Sequence, residues 1–83
     1  NANLSNTNMR DVTMDAAILN GANLSNSILE GAFAYNAKFE NVLIDGADFT
    51  DVLIANDVKK KLCIIADGTN SVTNKKTSET LDC

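Results

Sequence analysis

Apolar residues recur along the chain at every fifth position. Stepping by five from Leu4 gives Leu4, Met9, Met14, Leu19, Leu24, Leu29, Ala34, Phe39, Ile44, Phe49 and Ile54. Two residues before each centre stands a smaller side chain: Ala2, Thr7, Val12, Ala17, Ala22, Ser27, Ala32, Ala37, Val42, Ala47 and Val52. Two residues after each centre come Asn, Asp or Gly, with Ala16 the one departure. Eleven units hold this register without an insertion. Five is the period of neither helix nor strand, because either element would carry the centre away from its face. A unit that is extended for about three residues and then turns a corner does fit. The small residue and the centre then point the same way, and Asn, Asp or Gly tolerates the corner dihedrals. Four corners close a square of about twenty residues, and successive coils stack about 4.8 Å apart.

The predicted fold class is therefore an all-β solenoid over residues 1–56. Units four apart share a side, so the interior stacks as Leu4/Leu24/Ile44, Met9/Leu29/Phe49, Met14/Ala34/Ile54 and Leu19/Phe39. Leu4, Leu24, Leu29, Phe39 and Phe49 are expected core centres. Ala34 is undersized, and the flexible Met14 above it and the bulky Phe39 next to it are expected to make up the volume. Asn1 takes the corner position of a preceding unit, so the repeat is expected to continue upstream.

The period stops after Ile54, and residues 57–83 form the second part. Asn56 to Ile65 reads as a short helix, with Asn56 as N-cap, Asp57 in the first turn, and Val58, Leu62 and Ile65 on one face. Ala66-Asp67-Gly68 ends it, a polar loop runs from Thr69 to Lys76, and Thr77 to Leu81 suits one final helical turn. Solenoids need ends with an apolar inner side, so this helix is expected to cover the last coil. The two cysteines, Cys63 and Cys83, read as a disulfide or as two free thiols.

The motif of an alanine, Asn or Asp, and a large apolar residue (Ala2-Asn3-Leu4, Ala22-Asn23-Leu24, Ala47-Asp48-Phe49) resembles that of the pentapeptide-repeat proteins. The resemblance covers about residues 1–56 and implies a right-handed quadrilateral β-helix. The tail, LC followed by ADGTNSVTNKKTSETLDC, resembles the C-terminal signature of the thylakoid-lumen members of cyanobacteria and chloroplasts. That second resemblance implies a Cys63–Cys83 disulfide and a lumenal location.

Composition narrows the chemistry. Eighty-three residues make one small domain, and the chain has no His. Residues 1–55 hold seven acids and two bases, whereas 56–83 hold four acids and five bases. No apolar run is long enough to span a membrane, and no signal-peptide pattern opens the chain. Without imidazole or a Cys cluster there is no usual transition-metal set and no imidazole base for a hydroxyl nucleophile. Asp45, Asp48 and Asp51 are expected to be solvated surface charges on different sides of the square. Lys59, Lys60 and Lys61 are expected on the wet face of the helix. Asn3 and Asn23 match the glycosylation sequon only because the repeat itself writes Asn-Leu-Ser.

The expected function is a noncatalytic structural or protein-interaction module of the thylakoid lumen, with no cofactor and no nucleic acid. Its expected partner is a protein, with a photosynthetic membrane complex on its lumenal side as the leading candidate. The alternative is an acidic DNA mimic that binds DNA gyrase, as some members of the family do. The candidate interaction face is Phe33, Tyr35 and Leu53, which the register puts on one outward side. The competing expectation is that the tail folds back and covers that side.

Overall fold

A computed structural model describes residues 2–83. Its first part is a ladder of parallel one-residue bridges spaced twenty residues apart. They are Asn3 to Asn23 to Leu43, Asn8 to Ile28 to Asp48, Thr13 to Phe33 to Leu53, and Ile18 to Lys38. The spacing is the expected coil of four units. Each bridge sits one residue before a centre, where the main chain is extended for long enough to pair on both sides. Leu4 N–H, for example, donates to Asn23 O at 2.8 Å, and Asn23 N–H donates to Ala2 O at 2.9 Å. The corners that follow interrupt pairing, so the ladder consists of isolated bridges and not of continuous strands.

Each corner is a turn between a centre and the next small residue. Ala22 N–H donates to Leu19 O at 2.9 Å, and Ala32 N–H to Leu29 O at 2.9 Å. The second corner residue takes a left-handed φ, from +54° at Asp51 to +75° at Gly21 and Gly46. This is the geometry of a type II turn, and it is why Asn, Asp and Gly recur there. The outward Asn or Asp before a centre has a local task as well. Asn3 Oδ1 accepts Ser5 N–H, Asn23 Oδ1 accepts Ser25 N–H, and Asp48 Oδ1 accepts Thr50 N–H, so the side chain props the corner next to it.

Two corners differ from the sequence pattern in opposite ways. Ala16, the departure from the code, still adopts φ +66°, at the steric cost a Cβ brings in that region. Like Asn56 where the helix begins, Asn36 fits the code but lacks a positive φ. Its backbone N–H donates to Asp15 Oδ1 at 3.2 Å and its side-chain Nδ2 donates to the same oxygen at 2.9 Å. A side chain from the coil above thus replaces the usual corner-to-corner backbone bond.

The interior follows the predicted columns. Leu24, Leu29, Ile44 and Phe49 are sealed from solvent, and Phe39, Met14, Ala34 and Ile54 are buried with them. Leu4, expected as a core centre, is only half-buried, as are Met9 and Leu19, since no coil among the described residues lies over the first one. The expected continuation upstream of Asn1 lies outside the described residues.

The chain leaves the ladder through α1 (Asn56–Ile65) and returns through a loop to α2 (Thr77–Thr80). Ala55, not Asn56, is the N-cap of α1, and no side chain caps it. Of the expected inner face, Leu62 is buried and Val58 half-buried, but Ile65 remains 44% exposed; Cys63 and Ala66 pack in its place. Leu62 and Leu81 belong to the same buried cluster as Phe49 and Ile54. Cys63 and Cys83 form a disulfide with their Cα atoms 5.6 Å apart, so α1 is linked covalently to the segment after α2.

The segment after α1 re-enters the pattern it had left. Asn26 N–H donates to Asp45 O, and Gly46 N–H donates in turn to Asp67 O at 2.8 Å, so Asp67 stands where another coil's corner would. The approach is close: a Cβ on Gly68 would lie 3.0 Å from Gly46 N, and one on Gly46 would lie 3.1 Å from Thr69 O. Only glycines allow it at these positive φ angles. Thr80 Oγ1 then accepts Phe49 N–H at 3.0 Å, replacing the carbonyl of an absent fourth coil.

Between these points the loop lies against the Asn8 side. Asn70 is fully buried, and its Nδ2 donates to Ser27 O at 3.1 Å and to Gly46 O at 3.0 Å. Its Oδ1 accepts the N–H groups of Val72 and Thr73. Ser71 N–H donates to Asn26 Oδ1, and Asn26 Nδ2 donates back to Ser71 Oγ. Beneath this loop Ile28 is buried and Asp48 is entirely enclosed. Asp48 is therefore not the solvated charge expected from its outward position. Burial pushes its carboxyl up, but hydrogen bonds from the Thr50 hydroxyl and N–H, with Thr73 and the charge of Lys75, hold it below the usual range. Neither Asp48 Oδ2 nor Thr73 Oγ1 reaches full hydrogen-bond geometry, so the Thr50 contacts are the firmer cause.

The register makes a direct prediction. Leu29→Lys would place a charge in the sealed interior and cost several kcal/mol. Glu30→Lys only replaces an exposed ion pair with Arg10 and costs less than about 1 kcal/mol. Equal melting temperatures for the two variants would refute the inward assignment of Leu29.

The buried carboxylate predicts a pH response. Its folded pKa lies below the unfolded value of about 3.9, so its contribution to stability is complete above that value. The contribution is lost as pH falls through the folded pKa. Melting followed by circular dichroism should show no Asp48-dependent change between about pH 7 and about pH 5, with a drop below about pH 4. Asp48→Asn should flatten that acid limb; an unchanged limb would remove Asp48 as its source.

For the disulfide, the expected result is no titratable thiol without reductant. Reduction should lower stability by about 3 kcal/mol. Amide exchange should then rise first in residues 57–83 while the bridge amides of the coils stay protected. Simultaneous loss of both regions would show that the tail and the ladder are one cooperative unit.

A candidate interaction face

The four sides of the ladder differ in what their outward residues meet. On the Asn8 side the tail loop encloses Ile28 and Asp48. On the Thr13 side no tail residue takes that role, and the bridge column Thr13, Phe33, Leu53 stays open. The alternative that the tail covers Phe33 is thus excluded: the anchor formed by Asn26, Gly46 and Asn70 directs it to the adjacent side.

Phe33 is 38%, Tyr35 47% and Leu53 43% exposed. Phe33 and Leu53 face outward because each occupies the bridge position before a centre, opposite in direction to the buried Ala34 and Ile54. Tyr35 comes from the corner that departs from left-handed geometry, the corner at which Asn36 is held by Asp15. The two rings meet edge to face, with centroids 5.4 Å apart and planes at 79°. Such a pair is a favoured aromatic geometry and holds both rings in a defined orientation. The sequence placed Phe33, Tyr35 and Leu53 together, and the structure brings all three together.

Other exposed apolar residues lie elsewhere: Ile18 and Leu43 on other sides, Ile64 and Ile65 on α1, and Val72 on the tail loop. The carboxylates singled out in the sequence do not converge, since Asp45 and Asp51 are exposed whereas Asp48 is enclosed. Among the described residues no group of three or more His, Cys, Asp or Glu is placed to hold a metal ion. No helix is long and apolar enough to cross a membrane. Lys59 pairs with Asp82 at 3.6 Å, while Lys60 and Lys61 are exposed. Asn70 falls within the tail signature as Asp67-Gly68-Thr69-Asn70, but that resemblance assigns it no buried role.

Comparison with known proteins supports the repeat reading. The pentapeptide-repeat family matches residues 1–31 and 17–53, in eight copies. No curated protein matches the chain. Among solved structures, a pentapeptide repeat protein from the thylakoid lumen of Arabidopsis thaliana is 41% identical, with a TM-score of 0.95. The match covers 99% of this chain and 57% of that one, so the chain spans little more than half the length of the plant protein. With the twenty-residue ladder and the family match over most of its length, the chain belongs to the pentapeptide-repeat proteins.

Proposed function

We propose that the chain is a noncatalytic protein-interaction module of the thylakoid lumen, and that it binds through Phe33, Tyr35 and Leu53. The observation that carries the binding role is the open aromatic pair stacked with a leucine on a covalently tied scaffold. Exposed aromatic residues held in fixed orientation are typical anchors of protein contacts. Similarity to a lumenal plant protein supports the location, and the disulfide is compatible with an oxidising compartment. In this reading the coil is right-handed and quadrilateral as in the family, and residues 57–83 cap its last turn. The partner is a lumenal protein, with a photosynthetic membrane complex as the leading candidate.

No specific observation favours the gyrase-binding alternative. A gyrase supercoiling assay with no inhibition is the expected result.

The direct experiment is capture from intact thylakoids with the full chain as bait. The double variant Phe33→Ser with Leu53→Ser should lose the co-purifying protein while its melting temperature falls only slightly, because both residues are over a third exposed. A large fall in melting temperature would make the side internal packing. A folded double variant that keeps its partner would move the contact to another side.

A further inference from the structure

The coil segments along the open side carry one sign of charge. The segments that build it, residues 11–16, 31–36 and 51–57, contain Asp11, Asp15, Asp51 and Asp57 but no Lys or Arg. All four carboxylates are exposed. Asp11 and Asp51 stand at corners on one edge of the Phe33–Leu53 column, Asp15 stands at the corner on the other edge, and Asp57 lies in the first turn of α1. Of the bases around it, Arg10 pairs with Glu30 at 3.1 Å and Lys59 with Asp82 at 3.6 Å, while Lys75 of the tail loop borders a hollow shared with Asp51, Glu79 and Asp82. Asp15 Oδ1 accepts from Asn36, which orders the carboxylate without neutralising it. Lys60 and Lys61 are exposed further along α1. The bridge column on the next side, by contrast, holds Lys38 beneath Ile18.

We infer that this side takes a cationic protein segment, one that carries Lys or Arg beside an apolar anchor. The inference rests on the interaction-module reading and names the chemistry of the partner. An apolar side chain would bury against Phe33 and Leu53, and an ammonium or guanidinium group would lie over the exposed face of Tyr35. The surrounding carboxylates steer such a segment inward and select against acidic ones. The same field opposes an anionic lipid surface or a nucleic acid. It also opposes a second copy of this chain, because a two-fold contact would set the four carboxylates against their own counterparts.

The test titrates two synthetic peptides into the isotopically labelled full chain and follows its amide resonances. One peptide alternates lysine and leucine, and the other has glutamate in place of lysine. The lysine peptide should shift resonances within residues 12–15, 33–36 and 51–55, with affinity that falls as salt is added. The glutamate peptide should leave them unchanged. Asp11→Asn with Asp51→Asn should weaken the lysine peptide about fivefold at low salt, and Phe33→Ser should abolish the shifts at Tyr35 and Leu53. Failure of the lysine peptide to bind, shifts confined to another side, equal binding of the glutamate peptide, or unchanged affinity in the Asp variants would each overturn the inference. The Asp variants also separate it from the reading beneath it. If they keep a thylakoid partner that the Phe33/Leu53 variant loses, the contact side stands and the cationic partner falls. If the Phe33/Leu53 variant keeps that partner, the contact side falls as well.

Discussion

Everything in this molecule depends on the parallel pairing of each bridge residue with the one twenty positions on. Three extended residues offer the main chain only one place to pair, so stability cannot come from long strands. It comes from repeating a small contact at regular height, with a left-handed corner after each unit to restore the direction. A unit with one residue more or fewer would put the next centre on the wrong side and expose it. The register therefore tolerates varied side chains, from Leu24 to Phe39 and Phe49, but tolerates no insertion.

The lower end shows how the same pairing constrains the tail. A coil ends with N–H and C=O groups that have no coil below them, and these need partners as much as the apolar centres need cover. Asp67 O and Thr80 Oγ1 supply the hydrogen bonds, Leu62 and Leu81 supply the apolar surface, and the disulfide joins the two helices' segments. Polar and apolar demands are met by different residues of one short segment. This is why the tail is long enough to leave α1, rejoin the corner at Gly46, and pass along one side before α2.

That passage also decides what the molecule presents. Once Asn70 is seated between Ser27 O and Gly46 O, the loop must lie over Ile28 and Asp48. The adjacent side keeps Phe33, Tyr35 and Leu53 open by consequence. The covering of Ile28 and Asp48 and the exposure of the aromatic side are thus two results of one loop path. The enclosed Asp48, held by Thr50, lies beneath the loop on the covered side, while the acids of the open side are exposed.

The sequence by itself determined the coil length, the columns and the inward centres, because a five-residue period with small, large and corner positions has few physical solutions. It also placed Phe33, Tyr35 and Leu53 on one side, and the resemblance of the tail paired Cys63 with Cys83. Only the tertiary structure decided the rest. Asp48 reads as an outward, solvated acid until the tail lies over it, and Asn70 reads as a loop residue until its amide meets two carbonyls from different coils. Ile65 follows the helix period yet remains exposed, while Leu62, Cys63 and Ala66 pack against the core cluster. Asn36 fits the corner code and still departs from it, since Asp15 lies one coil above it. A local code fixes what neighbours along the chain dictate. Contacts between segments far apart in sequence, such as Asn26 with Ser71 or Phe49 with Thr80, are decided by which side the returning chain takes.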